Sequence, residues 1–158
     1  MPRVTALVLA AGFSRRLGHP KQNVVYEGET LLERATRIAS EVADEVIVVT
    51  RENNPLASEG MASSIRVGVS QAGAGSRILI TLCDQPRVTA AHLRALLAVD
   101  APIVASGYAG IAGVPAVFAP ELIPELLALR GDVGARAIIE RHGAHVIPFE
   151  DAAFDVDV

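Results

Sequence analysis

The chain has 158 residues, a formal net charge of −4, and 51% hydrophobic but only 4% aromatic residues. This length fits one domain spanning 1–158 with a core of Ala, Val, Leu and Ile, as in parallel α/β proteins, and the charge argues against a nucleic-acid or anionic-membrane partner. The lone Cys83 excludes an internal disulfide, and the sequence shows neither a membrane-length apolar run nor a signal-peptide pattern, so a cytoplasmic location is expected.

The spacing of apolar residues predicts the first two strands and the first helix. The run from Val4 to Ala10 predicts a buried strand, and Val46 to Val49 predicts a second one. Between them, the pattern from Thr30 to Val42 predicts an amphipathic helix that Thr30 caps together with Glu33. Strand, loop, helix and strand in this order imply a right-handed parallel crossover.

The loop after the first strand is rich in glycine and positive charge. Gly12 and Gly18 allow the backbone to approach a ligand closely, and Arg15, Arg16 and Lys21 place three positive charges within seven residues. A phosphate-binding loop is therefore predicted, and a basic surface loop with two turn glycines is the simpler alternative. Five residues separate the glycines, and His-Pro precedes the lysine, so the dinucleotide fingerprint and the P-loop are both excluded.

Strands and helices are expected to alternate through the rest of the chain. The predicted helices are Met61 to Gln71, Thr89 to Val99 and Pro120 to Leu129, with a further helix after the Gly131-Asp132 turn. The predicted strands are Ile78 to Leu82, Pro102 to Ala105, Ala116 to Phe118 after a glycine-rich turn, and His145 to Phe149. His92 is expected on the solvent side of its helix, with Thr89 as the cap, and His142 and His145 on the surface.

Asp84 directly follows the predicted strand Ile78 to Leu82. The carboxyl end of a central parallel strand is where open α/β sheets bind ligands, so Asp84 is the best candidate for a metal ligand. A hard carboxylate oxygen suits Mg²⁺, which usually takes one or two carboxylates together with substrate phosphates. The alternative is a turn aspartate that ends the strand before Pro86.

Five motifs in the chain together resemble those of one family. They are L-A-A-G-x-S-x-R-x-G-x-P-K, G-M-A-S-S, C-D-Q-P, the glycine-rich segment from Tyr108 to Pro115, and G-D-V-G-A-R. In this order they resemble the molybdenum cofactor cytidylyltransferase-like, or molybdopterin nucleotidyltransferase, family of the NTP-transferase superfamily. The resemblance covers nearly the whole chain. It implies a three-layer, Rossmann-like α/β fold of the nucleotide-diphospho-sugar-transferase type with a mostly parallel sheet.

The resemblance also implies roles for individual residues. Arg16 and the loop amides would hold the β- and γ-phosphates, Lys21 would offset charge near the α-phosphate, and Asp84 would bind Mg²⁺. Ser63 and Ser64, which would face the nucleotide, are also ordinary helix-start residues. The implied nucleotide-binding residues are Leu9, Ala10, Ala11, Gly12, Ser14, Arg15, Arg16, Gly18, Lys21, Ser63, Ser64 and Asp84.

Acceptor and second metal residues follow from the same resemblance. Asp157 is implied as a second metal ligand with Asp155 in reserve, although the helix that usually follows in the family is not in this sequence. Val114 stands where a polar residue is usual. Arg136 would bind an acceptor phosphate and Asp132 would cap its helix, or Arg136 would merely pair with Asp132 or Glu140. The implied acceptor-binding residues are Gln85, Pro86, Gly113, Pro115 and Arg136.

The implied reaction is transfer of CMP from CTP to the phosphate of molybdopterin, with Mg²⁺ as the cofactor and release of pyrophosphate. Ala10-Ala11-Gly12 and C-D-Q-P resemble the cytidylyl version, whereas the guanylyl version usually reads Ala-Gly-Gly. Guanylyl or sugar-phosphate transfer on the same fold, an NADPH-dependent reductase and a non-catalytic molybdopterin chaperone remain open. A molybdenum hydroxylase is the expected protein partner, and the expected state is a monomer or weak homodimer.

One departure from the family concerns the middle of the chain. Relatives usually place another helix and strand before the G-M-A-S-S motif, whereas only about ten residues separate Thr50 from Gly60. In an open sheet the missing strand would lie at an edge, so its loss need not break the core. The sheet is therefore expected to be shortened on this side.

Overall fold

The computed structural model describes residues 3–10 and 23–154. The strands are β1 (Val4–Leu9), β2 (Val25–Tyr26), β3 (Glu29–Thr30), β4 (Glu45–Val49), β5 (Arg77–Leu82), β6 (Ile103–Tyr108), β7 (Ile111–Phe118) and β8 (His145–Pro148). The helices are α1 (Leu31–Ser40), α2 (Met61–Gln71), α3 (Ala90–Leu97), α4 (Ile123–Leu127) and α5 (Arg136–His142), with 3-10 turns at Ala57–Glu59, Pro120–Leu122 and Glu150–Ala153. Within these two stretches, no helix combines the length and apolarity that crossing a bilayer requires.

The main sheet has the strand order β4-β1-β5-β7-β6-β8. β1 pairs in parallel with both β4 and β5, and β6 pairs in parallel with β8. β7 is antiparallel to its neighbours β5 and β6. The prediction of a mostly parallel α/β sheet is therefore confirmed.

The two faces of β1 explain why its sequence is apolar throughout. Leu7 and Leu9 belong to a core cluster with residues of α2, α4 and α5. Ala6 and Val8 belong to a second cluster with residues of α1 and α3. Since side chains alternate across a strand, helices on both faces require every position to be apolar. The result is the predicted three-layer architecture.

Local signals place the starts of α1 and α3 as predicted. The Thr30 hydroxyl accepts a hydrogen bond from the Glu33 N–H at 3.0 Å, and the Glu33 carboxylate accepts one from the Thr30 N–H at 2.8 Å. Thr89 accepts in the same way from the His92 N–H at 3.1 Å. Each cap satisfies helix-start N–H groups that have no partner within the helix.

The glycine-rich segment before Ala116 is a strand pair rather than the predicted turn. β6 continues to Tyr108 and β7 begins at Ile111, and the two join through Ala109 and Gly110 with φ of 53° and 75°. Positive φ at both central residues is the geometry of a tight hairpin turn that matches strand twist. Glycine clustering favoured a loop in the sequence, but Gly107 and Gly113 lie within the strands, where neighbouring side chains leave no room for a Cβ. An added Cβ at Gly113 would lie 2.8 Å from the Tyr108 hydroxyl oxygen.

His92 is buried, so its predicted solvent-facing position is wrong. Its side chain stacks on Phe149, with ring centroids 4.0 Å apart, and the residue is only 5% exposed. His92 Nε2 lies 2.7 Å from Ser106 Oγ, and that hydroxyl donates to the Pro115 carbonyl at 2.6 Å. Because the hydroxyl has one proton, His92 donates from Nε2. The ring therefore joins α3 to both strands of the hairpin.

Burial lowers the pKa of His92 below its ordinary value near 6.5. As the pH falls through 6.5, the unfolded state binds a proton that the folded state does not, so the protein loses stability. Between pH 7 and 5, the free energy of unfolding from urea titrations should fall by up to about 1.4 kcal/mol per pH unit from this group. His92→Gln should flatten that slope, and an unchanged slope would contradict the account.

β4 forms one edge of the sheet, and no strand of the described residues pairs with its outer side. The Asn53 side chain lies against that side. Its Oδ1 accepts from the Thr50 N–H at 2.8 Å and its Nδ2 donates to the Val48 carbonyl at 2.7 Å. A side-chain amide thus makes the two hydrogen bonds that a peptide group of another strand would make.

Replacement of Asn53 tests this role. Asn53→Ala should lower the free energy of unfolding by about 1 kcal/mol, since two backbone groups lose their partner but can bind water. Asn53→Asp keeps the acceptor for Thr50 and loses the donor for Val48, so its effect should be intermediate. Urea unfolding measures both values. Equal stability of all three proteins would show that Asn53 does not protect the edge.

Candidate active site

The candidate site lies at the carboxyl edge of β1 and β5. Leu9 and Leu82, the last residues of these strands, face each other in the parallel register. The Cys83 N–H also donates to the Leu9 carbonyl at 3.3 Å. The start of the glycine-rich loop and the turn that carries Asp84 are therefore neighbours, at the position where open α/β sheets bind ligands.

The described residues include only the beginning of that loop. Leu9 and Ala10 are buried, and the Ala10 N–H donates to the Val49 carbonyl at 2.8 Å. Seven further residues assigned to nucleotide binding lie outside the described part of the chain: Ala11, Gly12, Ser14, Arg15, Arg16, Gly18 and Lys21.

Asp84 is half-buried in the turn after β5, and its Oδ1 atom is shielded from solvent. The neighbouring Cys83 is buried, in line with its interpretation as a small packing residue. Across residues 3–10 and 23–154, no group of three or more His, Cys, Asp or Glu side chains could hold a metal ion. A single carboxylate fits Mg²⁺ or a similar ion that takes its other ligands from substrate phosphates and water.

The Gln85 side chain holds the Asp84 turn in place. Its Nε2 donates to the Val114 carbonyl at 3.2 Å and to the Ala152 carbonyl at 3.0 Å. Gln85 is 7% exposed, and its Oε1 is buried and accepts no hydrogen bond from the described residues. The side chain predicted to contact the acceptor thus joins the Asp84 turn to β7 and to the 3-10 turn Glu150–Ala153.

The end of the described chain packs against the same turn. The Arg87 guanidinium lies 3.9 Å from the centroid of the Phe154 ring, and its Nη1 lies 4.0 Å from a carboxylate oxygen of Asp151. The predicted second metal ligand, Asp157, and its reserve, Asp155, lie outside the described residues. Phe154, the last described residue before them in the sequence, contacts Arg87 just after the Asp84 turn.

A cavity of about 180 Å³ opens between these strand ends, the β6–β7 hairpin and the first turns of α2 and α5. Its wall is largely apolar, with Arg136 as its one charged side chain among the described residues. Of the predicted acceptor residues, Gly113 and Arg136 line the cavity. Pro86 is buried in the Asp84 turn and Pro115 is buried in β7. The lining residues are Leu9, Met61, Ile65, Ile80, Leu82, Tyr108, Ile111, Gly113, Val114, Gly134, Ala135 and Arg136.

Ser63 and Ser64 begin α2 as expected, but they are 1% and 4% exposed. Asn54 Nδ2 donates to both hydroxyl oxygens, at 3.0 and 3.1 Å. Ser63 Oγ in turn donates to the Leu56 carbonyl at 2.8 Å. In this structure the two hydroxyls therefore fix the preceding loop, and Asn54 is a site-supporting residue that no sequence pattern indicated.

The loops before α2 and α5 are in close contact. Gly60 has φ of 127°, and a Cβ at this position would lie 2.6 Å from the Gly131 carbonyl oxygen and would also contact Asp132. The Ala62 N–H donates to that carbonyl at 3.2 Å. Only glycine allows this approach, which places the second motif directly against the G-D-V-G-A-R motif.

An ion pair reinforces this contact. Both Glu59 carboxylate oxygens accept from Arg66, at 2.9 and 2.8 Å, and the Gly131 N–H donates to the same carboxylate at 3.1 Å. Arg66 also donates to the Leu129 carbonyl at 2.7 Å. The Arg66 hydrogen bonds, followed by the Gly131 N–H, lower the pKa of Glu59 to about 2, so the carboxylate is charged throughout the neutral range.

One expectation for the last motif is wrong, and one alternative is decided. Asp132 is exposed and does not cap α5, whose N-cap position is Ala135 without a side-chain hydrogen bond. Asp132 instead lies against Gly60, because the close loop contact determines its position. Arg136 is exposed at the cavity and pairs with Glu140 at 3.1 Å, the alternative that the sequence had left open.

Loss of the Glu59 carboxylate should destabilise the protein at pH 7, because a neutral amide lacks the charge and keeps one acceptor oxygen in place of two, so the bidentate pair with Arg66 is lost. Glu59→Gln should lower the melting temperature by several degrees. The control is Glu140→Gln, which removes an exposed i,i+4 pair with Arg136 and should change it by less than about 1 °C. Equal effects in calorimetry would refute the special role of Glu59.

A family model described as the MobA-like NTP transferase domain matches residues 6–146. Purine catabolism protein PucB of Bacillus subtilis is 30% identical over 88% of this chain and 82% of that protein. Nicotine blue oxidoreductase of Paenarthrobacter nicotinovorans is 31% identical over 89% of this chain and 83% of that protein. A probable molybdenum cofactor guanylyltransferase of Synechococcus elongatus is 33% identical over 57% of this chain and 55% of that protein.

Solved structures share the fold. Rv0371c from Mycobacterium tuberculosis superposes with a TM-score of 0.80 and 30% identity, over 94% of this chain and 89% of that chain. A structure of Rv0371c in complex with manganese gives a TM-score of 0.73 and 25% identity, over 99% of this chain and 94% of that chain.

Proposed function

We propose that this chain, which belongs to the MobA-like NTP transferase domain family and is a nucleotidyltransferase, transfers CMP from CTP to the phosphate of molybdopterin. One observation supports the proposal most strongly. The strand ends Leu9 and Leu82, which lead into the glycine-rich loop and the Asp84 turn, are neighbours at one edge of the sheet and both line the cavity that Arg136 also lines. Such an edge accommodates a nucleotide and an acceptor side by side.

In the proposed reaction, an acceptor phosphate oxygen attacks the α-phosphorus of CTP. A bond forms between that oxygen and the α-phosphorus, the bond to the β-phosphate bridging oxygen breaks, and pyrophosphate leaves. Arg16 and the loop amides hold the β- and γ-phosphates, and Lys21 lies beside the α-phosphate. No side-chain nucleophile is needed, because such transfers depend on positioning and charge stabilisation.

Asp84 is the proposed ligand of Mg²⁺, and Asp157, or Asp155 in its place, is the proposed second ligand. The bound ion would neutralise phosphate charge during the transfer. Phe154 packs near the Asp84 turn. The manganese complex of Rv0371c supports a divalent ion in this fold.

On the acceptor side, Arg136 is the proposed phosphate donor, since its guanidinium lies at the cavity and can exchange an exposed ion pair for a phosphate. Gly113 leaves room for the acceptor, while Gln85, Pro86 and Pro115 shape the site from behind. A molybdenum hydroxylase that receives the product, and a monomeric or weakly dimeric state, remain part of the proposal.

Two nucleotides, CTP and GTP, are supported as the substrate. Ala10-Ala11-Gly12 and C-D-Q-P resemble the cytidylyl version. The relative from Synechococcus elongatus is described as a guanylyltransferase, which favours GTP. Because the chain is similar to nicotine blue oxidoreductase, an oxidoreductase activity should be tested alongside cytidylyl and guanylyl transfer.

The test is pyrophosphate release from CTP, GTP or UTP in the presence of molybdopterin, with and without Mg²⁺. Wild-type protein should release pyrophosphate only with Mg²⁺ and fastest with CTP. Asp84→Asn should reduce kcat by about 100-fold or more, because a charged metal ligand is lost. Asp100→Asn, which changes an exposed carboxylate before β6, is the matched control and should leave kcat unchanged.

Other outcomes would revise the proposal in distinct ways. Faster turnover with GTP would replace the cytidylyl assignment with a guanylyl one. Molybdopterin binding without pyrophosphate release would favour a chaperone. NADPH-dependent dye reduction without any nucleotide transfer would contradict the proposed reaction altogether.

A further inference from the structure

We propose that Arg34 is a positioning residue that fixes the Asp84 turn relative to the β2–β3 hairpin, the first described element after the predicted nucleotide loop. The inference rests on the proposed function, since it assumes that Asp84 binds a metal ion together with the nucleotide. Arg34 lies in the first turn of α1, outside every motif that the sequence analysis singled out.

The first contact of Arg34 is with the turn itself. Its Nε donates to the Pro86 carbonyl at 2.6 Å, across 52 residues of sequence. The Arg34 side chain is 19% exposed, so this charged hydrogen bond is largely protected from water. Pro86 is two residues after Asp84, and the bond therefore acts on the backbone that determines where the carboxylate lies.

The second set of contacts joins Arg34 to the β2–β3 hairpin. Its Nη1 lies 3.5 Å from Glu29 Oε1 and 3.6 Å from Glu27 Oε2, and its guanidinium carbon lies 5.4 Å from the centroid of the Tyr26 ring. This hairpin is the first strand pair after the phosphate loop, since β2 begins four residues beyond Lys21. One guanidinium thus connects the chain that leaves the nucleotide loop to the turn of the proposed metal ligand.

The geometry requires arginine at this position. A guanidinium presents donors in a rigid planar fork, so Nε can bond Pro86 while Nη1 faces the acidic hairpin. A lysine ammonium has the charge but is a single point on a flexible stem, and it cannot make both contacts in fixed geometry. Gln85 holds the same turn through the Val114 and Ala152 carbonyls, so loss of Arg34 removes the contact between the turn and α1 while those bonds remain. Misplacement by about 1 Å can lower a reaction rate about 100-fold.

Arg37 offers a matched control on the same helix. Its guanidinium makes two hydrogen bonds to Glu29, at 2.7 and 3.3 Å. These bonds join Arg37 to the β2–β3 hairpin, whereas the bond from α1 to the Asp84 turn comes from Arg34. Replacing Arg37 removes a similar ion pair from α1 without touching Pro86.

The test measures Mn²⁺ binding in the presence of CTP or GTP, using the electron paramagnetic resonance signal of free Mn²⁺. The variants are Arg34→Gln, Arg34→Lys and Arg37→Gln, each with its melting temperature as a folding check. Both Arg34 variants should raise the Kd for nucleotide-dependent Mn²⁺ at least about 5-fold and lower kcat, because the charge alone does not restore the fork. Arg37→Gln should bind Mn²⁺ within about 2-fold of wild type, since exposed ion pairs contribute little.

If the wild-type protein binds Mn²⁺ with nucleotide, and the Arg34 and Arg37 variants bind it with equal affinity, the role of Arg34 is overturned and the proposed function stays intact. Full recovery of affinity in Arg34→Lys would also overturn it, because charge rather than geometry would then suffice. A wild-type protein that binds no Mn²⁺ with either nucleotide would overturn the proposed function, and the role of Arg34 with it.

Discussion

The parallel pairing of β1 with β5 is the constraint on which the candidate site depends. The register places Leu9 opposite Leu82, so that two segments 73 residues apart in sequence end at the same edge. Leu7, Leu79 and Ile80 are at most 1% exposed, and burial of each such side chain contributes about 1.5–3 kcal/mol. A shift of one residue would turn these side chains to the opposite face. The hydrophobic core therefore determines where the loop and Asp84 meet.

Polar contacts then orient the segments that the core brings together. Gln85 joins the Asp84 turn to β7 and to the end of the described chain. His92 and Ser106 join α3 to the hairpin from behind, and Glu59 with Arg66 joins the loops before α2 and α5. Each of these groups is mostly shielded and has partners, as buried or half-buried polar side chains require. The site thus consists of short loops, each attached by a few directional bonds to a rigid apolar sheet.

The sequence predicted the fold well because the decisive signals are local. Buried strands, the amphipathic α1 and the capping box at Thr30 follow from patterns within a few residues, and Asp84 follows from its place after a strand. The failures concern contacts between distant segments. Nothing near His92 indicates that Ser106 and Phe149 enclose it, and nothing near Asp132 indicates the close approach of Gly60. The glycines of the β6–β7 hairpin resemble a loop until the neighbouring side chains are known.

Asp84 is proposed to bind the metal ion beside the nucleotide. A crystal structure with Mn²⁺ and a non-hydrolysable CTP analogue, collected at the manganese absorption edge, can locate that ion. We expect an anomalous peak within about 2.5 Å of an Asp84 carboxylate oxygen, in contact with the phosphates and in front of the cavity. A nucleotide bound at this edge with its manganese peak away from Asp84, or a nucleotide bound elsewhere on the sheet, would contradict it.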